Sequence, residues 1–570
     1  MLSNPRSRSG GGASVDDGDG SEVGLMEGEE DVKPTGKRSG VSGVMPVLGL
    51  GLVLLLGWRM FGSGPDKSAL HVATWNIAAI NNNPFEYWIT HDDADYNKLM
   101  EDVQSFIDQP GERDVPVSQV FTPQMWTELK ALMAAQGWTG VEQTDAMWQS
   151  SFAERKIISG FMKDASLGEK RLASMPDRIT NTINLVGGKG VANRPTVINC
   201  FSGDMTSSAK WWSAWKSFMF ESQIMVEGGG GGGGVATVPA KMLQKIKRSK
   251  YPAVTAEEEA ISIPLQTLAQ AIFDAILVYI VNFVSPSGKW QALQQQMCDS
   301  LNRKKDAHTL SILDRSYADA DIVFVQEAAA VFLAKARQSA LGSRYRAVSS
   351  AALDGKRDQN SVVLLRSAYF DPKAPIVEHT AEVMASFDKS TPVANGDLLV
   401  VSVADVFGRK YLLASFHGDT NGLATLPVLA AVHALAARMP SHRLVFGLDA
   451  NTYAKGSSSK QGVAEFAQDF VAKGYSSCWG DVPDPTNHTT FNARTFLQAQ
   501  LQKAARASEK AAKGDKNPKD FILFPKAAYE VVATTKDNTG LRRYTEGMVF
   551  PTLQFPSDHG LVATVLREKQ

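Results

Sequence analysis

Leu444-Val445-Phe446-Gly447-Leu448-Asp449-Ala450-Asn451-Thr452-Tyr453 is an apolar run that stops abruptly at one carboxylate and one amide. A short apolar stretch bounded by turn formers reads as a buried strand. Side chains two apart on a strand share a face, so Asp449 and Asn451 are offered together at its tip. An Asp-x-Asn also makes ordinary turns, and taken alone both readings stand. The rest of the chain decides between them, because the same spelling recurs.

Near the N-terminal side, Leu70-His-Val-Ala-Thr-Trp-Asn-Ile77 alternates in polarity and closes on Asn76 before the turn-rich Asn81-Asn82-Asn83-Pro84. Further on, Ala320-Asp-Ile-Val-Phe-Val-Gln-Glu327 is an apolar run closing on Glu327, and Tyr411 to His417 closes on His417. Asp520-Phe-Ile-Leu-Phe524 begins on Asp520, and Pro556-Ser-Asp-His-Gly560 precedes a last apolar run, Leu561 to Leu566. Ser361 to Leu365 and Leu398 to Val403 add two more strands, and Leu426 to Met439 has helical spacing. Short strands with helices between them imply an α/β protein with layered sheets.

Taken in order, Asn76, Glu327, His417, Asp449, Asn451, Asp520, Asp558 and His559 combine hard oxygen donors with two imidazoles. That is a set suited to metal-assisted phosphoester hydrolysis: carboxylates for Mg²⁺, a His-Asp pair to take a proton from water, and donors for charge developing on phosphorus.

These pieces resemble the endonuclease/exonuclease/phosphatase superfamily, with its deoxyribonuclease-I-like fold. The resemblance is carried by Thr74-Trp-Asn-Ile77, Val325-Gln-Glu327, Phe416-His417, Gly447-Leu-Asp-Ala-Asn451, Lys519-Asp-Phe-Ile522 and Ser557-Asp-His559. It implies a four-layer sandwich, two packed mixed β-sheets flanked by helices, over residues 70–567. It also implies roles. Glu327 is the main metal carboxylate, with Asn76 and Asp558 completing the site directly or through water. His559 is the general base, oriented by Asp520. Asp449 positions the attacking water or assists the leaving group, Asn451 donates to a phosphoryl oxygen, and His417 stabilises the transition state or protonates the leaving group. Asn360, Asp419 and Asn421 are further candidates for substrate contact, against loop roles. The cofactor implied is Mg²⁺ or Mn²⁺.

The departure from the family is the long stretch between Ile77 and Ala318, read as a large, mainly helical insertion over residues 93–310. Phe121 to Trp138 reads as a helix. Trp211, Trp215 and Phe218 make an aromatic stripe read as buried packing. Ile261 to Val284 is apolar but interrupted by Asp274, which favours a buried helix over a membrane span. The glycines from Gly228 to Gly234 read as a flexible loop.

Of the 570 residues, 44% are hydrophobic and 21% charged, enough for a large core. A net charge of -1 gives no global attraction to nucleic acid or anionic lipid, so such binding would need a local patch. The basic run from Lys503 to Lys519 is the candidate, read first as a solvated helix and loop. Cys200, Cys298 and Cys478 are too few and scattered to imply a disulfide framework or a Cys zinc site. Residues 1–40, rich in Gly, Ser and acids, read as disordered. Residues 41–62 hold eighteen uncharged residues before Arg59, with Lys37 and Arg38 preceding them, and read as a single transmembrane anchor with the N-terminus cytoplasmic. The sequon Asn487-His488-Thr489 is compatible with a lumenal catalytic part.

The function expected is a membrane-anchored, metal-dependent phosphoesterase acting on a diester, with a lipid headgroup, a small molecule or nucleic acid as substrate. The alternatives are a nuclease of the same chemistry, a phosphomonoesterase, or a catalytically silent binding protein. No protein partner is implied.

Overall fold

The computed structural model describes residues 68–227, 233–353, 355, 357–491, 497–501 and 514–569. The expected tail and membrane anchor, residues 1–62, lie outside them, as does most of the Lys503–Lys519 run.

Two six-stranded mixed sheets face each other. In the first, the strands run in the order Tyr529–Asp537, Leu561–Glu568, Ala69–Asn76, Ile322–Ala328, Asn360–Arg366 and Tyr345–Ser349. In the second, the order is Tyr475–Ser477, Asp520–Pro525, His442–Asp449, Lys410–His417, Leu398–Ala404 and Val377–Glu378. Alternation sorts their side chains into three cores. Leu70, Val72, Ile322 and Phe324 of the first sheet meet Leu413, Val445 and Ile522 of the second between the sheets. Trp75, Val323 and Val325 pack outward against Leu310, Leu313 and Phe332 from helices Lys305–Ser316 and Phe332–Gln338. Phe416, Phe446 and Leu448 pack outward against Val428, Val432 and Phe466 from helices Thr425–Arg438 and Val463–Ala472. The four-layer α/β sandwich is therefore present.

Gly447 lets the sheets come this close. A Cβ at that position would lie 2.2 Å from the Phe324 ring.

Between the strands that end in Asn76 and begin at Ile322, the chain forms a mainly helical block with its own core. Helix Ser262–Val284 runs through it and is the one described helix long and apolar enough to cross a bilayer, with a mean hydropathy of 1.8. Its side chains are buried from Leu265 to Val278, so here it is a core helix. Asp274, the charge that interrupts it, is paired with the buried Arg194 at 2.8 Å and accepts from Thr196 and Trp215. Trp211 and Trp215 are fully buried, as the aromatic stripe predicts.

Two readings need correction. Cys200 and Cys298 are joined in a disulfide across the block, their Cα atoms 5.7 Å apart, which wide sequence spacing concealed. Gly234, at the end of the glycine run, is the first residue of strand Gly234–Thr237, which pairs antiparallel with Ile224–Glu227; residues 228–232 lie outside the described residues.

Candidate active site at the rim of the sheets

Register places three of the expected residues side by side. His417 pairs with Asp449 across neighbouring parallel strands, and Asp449 pairs with Asp520 across the next, antiparallel pair. All three follow the parity of Leu413, Val445 and Ile522, so they face the other sheet. Asn76, in phase with Leu70 and Val72, faces them from the first sheet.

Glu327 breaks that rule. Its parity matches Val323 and Val325, which point to the outer core, and strict alternation would bury it there. A β-bulge between Val325 and Ala328, with Glu327 at a φ of 56°, turns the carboxylate inward instead. Ala78 and Asn451 also have positive φ, 54° and 47°. Non-glycine residues held in the left-handed region cost free energy, and here three of them bracket one cluster of polar side chains.

The cluster is compact. The Asn76 amide nitrogen donates to Glu327 Oε1 at 3.0 Å and to Asp449 Oδ2 at 2.8 Å. Its orientation is fixed, because its oxygen accepts from the Ala78 N–H at 2.8 Å. Asn76 thus turns a donor, not an oxygen ligand, toward the carboxylates. Glu327 Oε2 accepts from the Ala79 N–H at 2.8 Å. His417 Nε2 lies 3.2 Å from Glu327 Oε1 and 3.7 Å from Asp449 Oδ2. His559 Nδ1 meets Asp520 at 3.0 and 3.2 Å, and its Nε2 lies 3.6 Å from the same Asp449 Oδ2. One oxygen of Asp449 is therefore shared among Asn76 and both histidines, while the other accepts from the Asn451 N–H at 2.8 Å.

The local chain explains why His559 stands where it does. The Ser557 hydroxyl donates to the Asn76 carbonyl at 2.6 Å and accepts from the His559 N–H at 3.0 Å, and the Trp75 indole donates to the His559 carbonyl at 2.9 Å. Behind it, the Thr489 hydroxyl accepts from the N–H groups of Lys519 and Asp520. Thr489 is fully buried, so the hydroxyl of the sequon serves the site's scaffold.

Burial and charge set the protonation of the cluster. Burial would raise the Glu327 carboxyl, yet the neighbouring His417 and the hydrogen bonds from Asn76 and Ala79 hold it down at about 2. Burial would lower His559, but the carboxylates of Asp520 and Asp449 outweigh it and lift the imidazole to about 10. Burial in turn raises Asp520, against the pull of His559. Both oxygens of Asp520 thus lie within hydrogen-bond distance of His559 Nδ1.

Two sets of acids and histidines have geometry that could hold a metal: Glu327, His417 and Asp449, and Asp449, Asp520 and His559, with ligand atoms within 4.8 Å of one another. The second is already a His-Asp hydrogen-bonded pair. Asp558, half-buried beside them, makes no hydrogen bond among the described residues and acts on His559 through its charge. Hard carboxylate oxygens from Glu327, Asp449 and Asp558 fit Mg²⁺ or Mn²⁺ better than a soft ion.

The remaining candidates have other contacts. The Asn451 amide donates to the Gly418 carbonyl at 2.9 Å and lies 3.5 Å from His417 Nε2. Asn360 donates to the carbonyls of Ala328 and Arg357, bracing the bulge that carries Glu327. Asp419 accepts from the N–H groups of Asn421 and Ala424, and the Asn421 carbonyl accepts from Gln461. These are loop contacts. Sequence reasoning missed Thr489, whose only signal was the sequon, and Lys305, which carried no motif.

A family model described as a domain of unknown function, DUF8234, matches residues 114–295, inside the helical block. No curated protein matches the chain. Solved structures similar to it include D. rerio TDP2 complexed with single strand DNA product, at 14% identity over 46% of this chain and 91% of that one, with a TM-score of 0.32. The human Nocturnin catalytic domain with bound sulfate is similar at 11% identity over 47% and 87%, with a TM-score of 0.31. An endonuclease/exonuclease/phosphatase from Bacteroides vulgatus is similar at 14% identity over 48% and 94%, with a TM-score of 0.32. Each of these matches spans just under half of this chain and most of the other.

Proposed function

We propose that this chain is a divalent-metal-dependent phosphoesterase that hydrolyses a phosphodiester by attack of water. The observation that carries the reading is the convergence on Asp449: its Oδ2 is approached by Asn76, His417 and His559 at 2.8, 3.7 and 3.6 Å, with Glu327 on the far side of Asn76. Residues from six separate stretches meet there, and few structural needs are served by gathering the buried Asp449 and Asp520, the half-buried Glu327 and two histidines.

Glu327, Asp449 and Asp558 would hold the metal, which when bound polarises a phosphoryl oxygen and offsets the carboxylate field that keeps His559 protonated. Asp520 fixes the His559 tautomer through Nδ1, leaving Nε2 directed at the space beside Asp449. From there His559 takes a proton from the attacking water, whose lone pair Asp449 orients. A carboxylate behind an imidazole stabilises the cation that forms. His417, on the opposite flank of Asp449 and more open to solvent than His559, would protonate the leaving oxygen. Asn76 and Asn451 hold the carboxylates and the imidazole in register. Acid and base action of this kind contributes on the order of 10²- to 10⁴-fold each. The test is hydrolysis of bis-p-nitrophenyl phosphate with Mg²⁺ or Mn²⁺; activity that persists unchanged in EDTA removes the metal from the mechanism.

A nuclease reading has one observation in its favour. Lys516 sits 4.6 Å over the Phe491 ring and Lys536 sits 4.0 Å over Tyr544, on segments adjoining the Thr490–His559 bridge. Against it, Lys519 is paired with Asp515 and Lys536 with Glu546. Oligonucleotide binding that falls steeply with salt would favour the nuclease.

Residues 41–62 are proposed as a membrane anchor with the catalytic part on the exoplasmic or lumenal side. The Cys200–Cys298 disulfide supports that side, since disulfides persist in oxidising compartments. Resistance of the full chain to carbonate extraction, lost on deletion of residues 1–62, tests the anchor.

A further inference from the structure

Lys305 opens the helix Lys305–Ser316 at the end of the helical block and is only 4% exposed. A buried ammonium has three donors, and desolvating its charge is costly unless acceptors or a counter-ion meet it. Among the described residues Lys305 makes one hydrogen bond, to the Ala79 carbonyl at 3.0 Å. Its neighbour Asp306 is taken by Lys335 at 2.6 Å. Lys519, the other buried lysine near the site, is by contrast paired with Asp515 at 2.8 Å. Among the described residues, Lys305 is thus a buried cation with two donors left over.

Its one partner ties it to the site. Ala79, which accepts from Lys305, donates through its own N–H to Glu327 Oε2 at 2.8 Å. A single residue therefore joins the ammonium to the principal acid of the site. Burial lowers the Lys305 ammonium to about 8, and the charges of Asp558, Glu327 and Asp306 work against that loss. It stays mostly protonated at neutral pH. Tyr87 lies in the same field: Asp558 first, then burial and Glu86, raise its phenol well above the ordinary value. Lys305 of the helical block thus stands one residue removed from Glu327, outside the strand-end set.

We propose that Lys305 is a substrate-binding residue whose remaining donors take a non-bridging phosphoryl oxygen of a phosphoester held beside Glu327 and Asp558. This rests on the phosphoesterase reading above. A phosphoryl anion there would provide the acceptors that this buried cation lacks, and the helical block would then take part in substrate recognition instead of only covering the sheets. A lysine that merely pinned the 76–79 turn would affect folding but not affinity for phosphate.

The experiment uses the full chain with Mg²⁺, comparing wild type, Lys305→Gln and Lys305→Arg. The expected result is a folded Lys305→Gln variant with an unchanged melting midpoint, in which KM for bis-p-nitrophenyl phosphate and Ki for inorganic phosphate both rise at least tenfold, roughly the weight of one charged hydrogen bond. Lys305→Arg should regain most of that loss. Wild-type constants in a folded, active Lys305→Gln overturn the proposal and leave the phosphoesterase reading standing; an inactive wild type overturns both. Should Lys305→Gln not fold, acetylation of Lys305 in the wild-type chain is read by mass spectrometry with and without inorganic phosphate. Protection supports the contact, and a labelling rate that phosphate leaves unchanged, zero included, counts against it.

Discussion

Asn76 and Asp449 stand on opposite sheets, and the 2.8 Å hydrogen bond between them closes the gap at the open rim of the sandwich. The same amide nitrogen holds Glu327, so one neutral donor spaces two acids that would otherwise repel each other. Asn76→Ala should therefore act on both stability and activity. Leaving buried acceptors unpaired costs about 1–3 kcal/mol, readable in a denaturant titration. Turnover of bis-p-nitrophenyl phosphate should fall on the order of 10²-fold or more, because the carboxylates lose their spacing as well as a partner. A variant as active as wild type would show that the spacing is not used.

His559→Ala should remain folded, with a circular dichroism spectrum like wild type, and lose on the order of 10²- to 10⁴-fold in kcat. Asp520→Asn isolates the tautomer argument. It keeps the shape of the hydrogen bond to Nδ1 but offers no charge to hold the imidazolium, so it should be impaired in kcat with KM little changed. Equal activity of both variants with wild type would remove the pair from the mechanism.

Removal of metal should be reversible. Activity lost in EDTA should return with Mg²⁺ or Mn²⁺, and at a metal concentration a hundred times Kd the native state should gain about 2.7 kcal/mol. The shift in melting midpoint on adding metal, measured beside a Glu327→Gln variant that should show little shift, checks that the ion binds at this carboxylate.

The thiols give a count that needs no substrate. Among the cysteines, Cys200 and Cys298 are bonded and Cys478 is free and buried. The denatured chain should titrate one thiol before reduction and three after. Burial pushes the Cys478 thiol up to about 12, so the folded chain should titrate none at neutral pH. The sign follows from the raised value. The folded state favours the protonated thiol, so its contribution to stability is intact below the ordinary thiol pKa of about 8.5 and is lost as pH rises from there toward 12. A Cys478→Ser variant should show a flatter decline of stability over that window.

Gly447 tests the approach of the two sheets. Gly447→Ala places a methyl against the Phe324 ring and should cost about 1–3 kcal/mol through overpacking. Activity should fall with it, since Asp449 is two residues further along the same strand.

The order of the polar strand ends, the apolar runs behind them and the α/β class were all legible in the chain, because burial between two layers imposes long apolar stretches and a pocket at their tips imposes an abrupt change. Edge strands were not. Tyr529–Asp537 alternates buried and exposed residues weakly and bears a bulge, so its pattern is no different from that of a loop. The tertiary structure alone decided that Glu327 points inward, since parity places it in the outer core and only the bulge reverses it. It alone decided that Cys200 and Cys298 meet and that Lys305 lies one residue from Glu327. Periodicity reports which face of an element is buried; it carries no record of which distant residues share that burial, and for contacts made across hundreds of residues the packing of the whole chain is the only determinant.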